Sequence, residues 1–109
     1  MDYHVYCIYC PESKKPRYIG TTNDLDTRMC QHINTPHSYA IGLFIESLKS
    51  KNKKPVCKIL QSFEYYDEAI EFEKSKIIEL STNGEDLLNH RYNVAKKKQN
   101  DYYLTDFED

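Results

Sequence analysis

No apolar run in this chain is long enough to cross a membrane, and no secretory leader opens it. Those absences set membrane proteins aside and point to an intracellular protein with reduced thiols, in the cytoplasm or nucleus rather than secreted. An excess of positive charge is missing too. Fifteen lysines and arginines face seventeen acids, a net charge of −2, so the chain is no simple basic glove for nucleic acid. The imbalance lies at one end. Residues 100–109 hold four acids (Asp101, Asp106, Glu108, Asp109) and no base, and without them fifteen bases face thirteen acids. Affinity for nucleic acid must therefore come from local patches or from a bound cation. Tryptophan is absent beside ten tyrosines, a bias that fits an AT-rich genome such as a viral one.

A second C-x-x-C is also lacking. Cys7 and Cys10 form one inside the β-rich run YHVYCIYC, where residues three apart point to opposite faces. Zinc chelation by this pair would need a turn there, and small packed residues are the simpler reading. His4, His37 and His90 show no ligand spacing with one another. There are no internal repeats, and 109 residues suffice for one domain with a modest core. We expect that domain over residues 1–99, followed by an acidic, unstructured tail over 100–109.

Tyr3 to Cys10 reads as a strand, PESKKP as a polar turn and RYIGTT as a second strand, which together make a hairpin. A helix is expected from Asp24 to Ile33, capped by Asn23, and a second over YAIGLFIESLKS, capped by Ser38. Pro55 breaks the chain before a third strand, VCKILQSFEY. Asp67 is the expected cap of helix three, EAIEFEKSKIIEL, and a short helical turn is expected through Leu87 and Leu88. This order is that of an α+β domain with a small, mostly antiparallel sheet.

Three features break the apolar pattern. Arg28 and His32 fall on the same helical stripe as Leu25 and Met29. On helix three, Glu73 lies within the stripe of Ala69, Ile70, Ile77 and Leu80. An ionised carboxylate out of water costs several kcal/mol unless a cation or strong donors meet it. Glu73 is therefore either a structural partner of Arg28, or a metal ligand or general acid/base lining a cleft. Finally, Tyr6 and Tyr18 occupy the two hairpin strands. They share a face only if paired positions sum to an even number. A symmetric six-residue turn gives an odd sum, which a bulge or an asymmetric loop would repair. Gly20, just before the turn into helix one, allows close approach of the backbone to a ligand.

HVY (His4–Tyr6), YIG (Tyr18–Gly20), Arg28, His32, AIEFEKSKI around Glu73, and RYN together resemble the GIY-YIG nuclease superfamily, from about Tyr3 to Val94. The first motif carries His4 where the name-giving glycine stands. The resemblance implies a three-stranded antiparallel sheet flanked by helices, and metal-dependent hydrolysis of DNA phosphodiesters. It further implies that Tyr6 and Tyr18 are the paired tyrosines, that Arg28 binds phosphate, and that Glu73 holds one Mg²⁺ or Mn²⁺. His32 matches a histidine many members carry, and either it or Tyr6 would be the general base. Asn93, in preference to Asn89, matches the family's last asparagine.

An endonuclease so small is expected to be structure-selective or weakly sequence-specific, with roles in DNA repair, recombination or viral genome processing open. Lysines at 49, 51, 53 and 54, or at 96 to 98, are candidate phosphate contacts or simply a solvated face. The aromatic-acidic tail DYYLTDFED is either a docking segment for a protein partner or plain disorder. A catalytically inactive DNA- or partner-binding module is the alternative to an enzyme.

Overall fold

The computed structural model describes residues 2–96. Lys97, Lys98 and the acidic tail lie outside the described residues. Six elements follow one another: β1 (Tyr3–Tyr9), β2 (Pro16–Thr22), α1 (Leu25–Asn34), α2 (Tyr39–Ser50), β3 (Val56–Phe63) and α3 (Tyr66–Thr82). The strands form one antiparallel sheet in the order β2-β1-β3. This is the α+β architecture the sequence implies. Among the described residues, no helix is long and apolar enough to cross a membrane.

Strand alternation divides the core into two layers. Tyr6 and Ile8 pack with Ile41, Phe44, Ile45 and Leu48 of α2, while Leu25, Met29 and Ile33 of α1 close over the same face. Val5, Cys7 and Ile19 face the other way, against Ala69 and Ile77 of α3. Cys7 thus joins one layer and Cys10 the other, as residues three apart in a strand must.

Local chemistry moves two helix starts. Asp24, not Asn23, caps α1, because Thr27 offers it two donors: its N–H to Oδ1 at 3.2 Å and its hydroxyl to Oδ2 at 2.8 Å. Ser38 caps α2 as expected, accepting from the N–H of Ile41. Helix α3 begins at Tyr66 with no side-chain cap. Asp67 lies inside its first turn, where an acid favours the helix dipole.

The expected helical turn at Leu87–Leu88 does not form, because that backbone is committed to the edge of β2. The Leu88 N–H donates to Arg17 O at 2.6 Å, and the guanidinium of Arg17 reaches the carbonyl and carboxylate of Asp86. One residue further, the Asn89 carboxamide accepts from Ile19 N–H at 3.0 Å and donates to Ile19 O at 2.8 Å. A side-chain amide here supplies both hydrogen bonds that a neighbouring strand would give.

Candidate active site

Turn geometry fixes which side chains meet. Cys10 N–H bonds Lys15 O, and Lys14 adopts a φ of 64°, so the tip of the hairpin pairs positions with an odd sum. A bulge then intervenes: Tyr9 pairs with Pro16, but Ile8 pairs with Tyr18, leaving Arg17 extra. From there the sum is even, and Tyr6 and Tyr18 point to one face. Their ring centroids are 6.4 Å apart.

Tyr6 pairs directly with Gly20 and lies across it. A Cβ on residue 20 would stand 2.5 Å from the phenol oxygen and 2.6 Å from Cζ. The close approach that Gly20 permits within the fold is that of Tyr6. Residue 4, two positions along the same face, turns its Nδ1 to Ser62 Oγ at 2.6 Å.

Helix α1 brings its polar stripe down onto these tyrosines. Tyr6 Oη lies 2.7 Å from His32 Nε2, and both residues are buried. His32 also meets Tyr18 edge-on at 5.2 Å and His37 at 5.6 Å, and His37 meets Tyr18 at 6.0 Å. Burial pushes His32 down to about 4, with the Arg28 cation and His37 adding to the effect, so the imidazole is neutral at pH 7. Burial likewise raises the Tyr6 phenol well above its ordinary value; Tyr18 adds to this and Arg28 opposes it.

Arg28 is half-buried. Its Nη1 donates to Gln31 Oε1 at 3.4 Å, but its buried Nε has no partner, and neither has Nδ1 of His32. Two buried nitrogens left unsatisfied on adjacent turns of one helix are costly to the fold alone. Arg28, Gln31, His32, Thr35 and His37 line a cavity of about 250 Å³.

Glu73 approaches from the opposite layer. It accepts a 2.5 Å hydrogen bond from Thr21 Oγ1, on the face of the sheet that α3 covers. The candidate residues therefore lie on both faces of the sheet, as a constellation around β2. Tyr18, Arg28 and Glu73 are near enough to act on one another's charge. Burial first, then the Glu73 carboxylate, raises the Tyr18 phenol. Burial raises Glu73 above the usual carboxylate range, while Thr21, Arg91 and Arg28 pull it back. Among the described residues, Arg28 and Glu73 form no ion pair, so the structural pair weighed from sequence holds neither in place.

Asn93 and Asn89 are both buried, but differently employed. Asn93 donates to Leu87 O and Asn89 O and accepts from Lys96 N–H, so its amide closes the last described turn on itself. Asn89 holds Ile19, the residue between Tyr18 and Gly20. Sequence reasoning missed Thr21, His37 and Arg91. The hydroxyl of TT, two residues beyond Ile19 on a strand, was a legible signal for Thr21; Arg91 stood in the RYN motif without a role, and nothing marked His37 as part of the site. The lysines after α2 are largely engaged: Lys51 and Lys53 share Glu12, and Lys49 donates to Ile33 O.

Residues 2–86 match the family model of the GIY-YIG catalytic domain. The chain belongs to the GIY-YIG family. The match takes in Tyr6, Tyr18, Arg28, His32 and Glu73 and ends before Asn89 and Asn93. Neither the curated proteins nor the solved structures hold a significant match to it. A GIY-YIG domain implies a nuclease-type function on DNA, and GIY-YIG nucleases generally depend on a divalent metal. The donor set suits such an ion. Among the described residues, no three His, Cys, Asp or Glu side chains cluster, and Glu73 is the one carboxylate in the constellation. A hard cation bound by one carboxylate, with water and substrate phosphate completing its shell, fits that set; a cage of protein ligands does not.

Proposed function

We propose that this chain is a divalent-metal-dependent endonuclease that hydrolyses DNA phosphodiester bonds, structure-selective or weakly sequence-specific, acting on DNA inside the cell. The observation that carries this reading is the buried Tyr6–His32 pair at 2.7 Å, set beside an Arg28 whose Nε lacks a partner.

Each residue then has a task. Glu73 holds Mg²⁺ or Mn²⁺, which supplies positive charge for the phosphate oxygens when bound. Arg28 donates its unpaired Nε–H to a non-bridging phosphate oxygen, an interaction a half-buried guanidinium makes more strongly than an exposed one. Tyr6 and His32 work as one relay: Tyr6 Oη takes a proton from the attacking water as its own proton passes to His32 Nε2. This answers the difficulty that a buried phenol is rarely ionised at neutral pH, since no free phenolate is needed. The approaching phosphate makes protonation of His32 easier, because its negative charge offsets the Arg28 cation's share of a depression due first to burial. Tyr18 orients the water, and Asn89 fixes the strand that carries it.

Incubation of the intact protein and its Glu73→Gln variant with branched, flapped, single-stranded and duplex DNA, in Mg²⁺, Mn²⁺ or EDTA, tests the proposal. Cutting by the wild type alone, and only with metal, is expected. A folded wild type that binds DNA but cuts none of these substrates would leave a binding module in place of an enzyme.

A further inference from the structure

Next to Glu73 in sequence, and within reach of its charge, stands a second group that the hydrolytic chemistry does not use. Tyr92 is 39% exposed and holds a φ of 64°, a left-handed conformation in which a bulky aromatic is an outlier. Lys74 Nζ, from the residue after Glu73 on α3, lies 5.4 Å from the Tyr92 ring centroid, and Arg91 Cζ lies 5.8 Å from it. Neither cation has a carboxylate partner among the described residues. The field of Arg91 reaches Glu73 and lowers its proton affinity.

The strained residue is imposed by its neighbours. Asn93 N–H closes the turn onto His90 O, and the buried Asn93 amide ties that turn to Leu87, Asn89 and Lys96. Backbone strain held by a buried polar anchor, and spent on presenting an aromatic ring to solvent, points to use of the ring. An exposed ring flanked by two unpaired cations has the chemistry of a platform for an unpaired nucleotide. The base stacks on the ring, and the cations slide from the ring to the phosphates either side.

We infer that Tyr92, Arg91 and Lys74 bind an unpaired nucleotide adjoining the scissile phosphate, so that the preferred DNA carries a single-stranded segment next to the cut. The inference rests on the nuclease reading for what lies at Glu73, and it deepens that reading by naming the substrate feature. Base-paired DNA gains the two cations but not the ring.

The test uses the intact chain in EDTA, where nothing is cut. Binding is measured by anisotropy on a fluorescein-labelled single-stranded octamer and on the same sequence as duplex; 2-aminopurine fluorescence reports stacking. Tyr92→Asn is the informative variant, because asparagine tolerates the left-handed backbone and removes the ring without adding strain. It is expected to weaken single-strand binding about tenfold and duplex binding less than twofold, and to abolish 2-aminopurine quenching, while Tyr92→Phe behaves as wild type. Arg91→Gln and Lys74→Gln should each weaken both substrates and lower the salt slope by about one.

Equal losses on both substrates for Tyr92→Asn, or none, would overturn the platform. Should that variant not fold, unchanged salt slopes in both glutamine variants would do the same. Metal-dependent cutting that Tyr92→Asn leaves untouched on flaps and duplexes alike would sink this inference and keep the nuclease. Ring-dependent single-strand binding by a protein that cuts nothing would keep the platform and sink the nuclease.

Discussion

Tyr6 lies against His32 because its cross-strand partner, Gly20, has no side chain. The tyrosine is fully buried, and its ring, rather than some flexible tip, fills the space a Cβ at residue 20 would take. Gly20→Ala must therefore push the ring off His32 or spread the two strands. Overpacking of this kind costs roughly 1–3 kcal/mol. A misplaced Tyr6 should also lower cleavage by about 100-fold, the scale on which an ångström of displacement acts. Thermal unfolding and a cleavage assay, run on one preparation, check both; a variant as active as wild type would show that Tyr6 is not needed where it stands.

Gly42 is the contrasting case. It lies inside α2, and an added Cβ would meet only Pro36 Cγ at an ordinary 3.6 Å. Glycine in a helix interior is unfavourable relative to alanine by about 0.5–1 kcal/mol. Gly42→Ala should raise Tm by a few degrees and leave cutting unchanged.

The two glycines also mark what a sequence can and cannot disclose. The hairpin, three helices and the third strand were legible because hydrophobic period is a local signal; of the expected caps only Ser38 holds. So were Arg28, His32 and Glu73, since each interrupts an apolar stripe. The even register of Tyr6 and Tyr18 is a requirement the local sequence does not meet; the Arg17 bulge that meets it is held by Asp86 and Leu88, about seventy residues away. The same distance hid the task of Asn89, whose partner is the backbone of Ile19. Arg91 and His37 interrupt no stripe, and folding alone brings them near Glu73 and Tyr18.

Acid should weaken the fold through His32. Its folded value, about 4, lies below the ordinary histidine value near 6.5. The folded protein therefore binds fewer protons there, so this contribution is fully present above about pH 6.5 and is lost as pH falls toward 4. The loss is on the order of 3 kcal/mol. His37, shifted the same way but exposed, adds little. Denaturant titrations between pH 7 and 4 should show this slope, and His32→Gln should flatten it.

Asn89 and Asn93 can be separated by their loads. Asn89→Ala leaves both the N–H and the carbonyl of the fully buried Ile19 without partners. Such a loss costs about 2–3 kcal/mol, and it loosens the residue between Tyr18 and Gly20. Cutting should fall about tenfold or more, even at temperatures where the variant is folded. Asn93→Ala instead frees the turn that bears Tyr92. It should leave cutting of duplex DNA within a few-fold of wild type and remove any preference for single strands.

Glu73 should be bad for the fold and good for the chemistry. Burial raises its carboxyl above the value it has in the unfolded chain. A carboxyl raised on folding favours the folded state below its unfolded value, and that contribution is gone once the pH exceeds the folded value. At neutral pH the ionised group therefore sits in a place that prefers it neutral. Glu73→Gln keeps an oxygen for the Thr21 hydroxyl and removes the charge. The variant should melt a few degrees above wild type at pH 7, with the difference shrinking as the pH falls through the carboxylate range. Added Mg²⁺ or Mn²⁺ should raise the Tm of the wild type toward that of the variant and leave the variant unmoved, since a bound cation relieves the same buried charge. A wild type more stable than Glu73→Gln without metal would mean that Thr21 and Arg91 already satisfy the carboxylate, and that Glu73 holds structure rather than an ion.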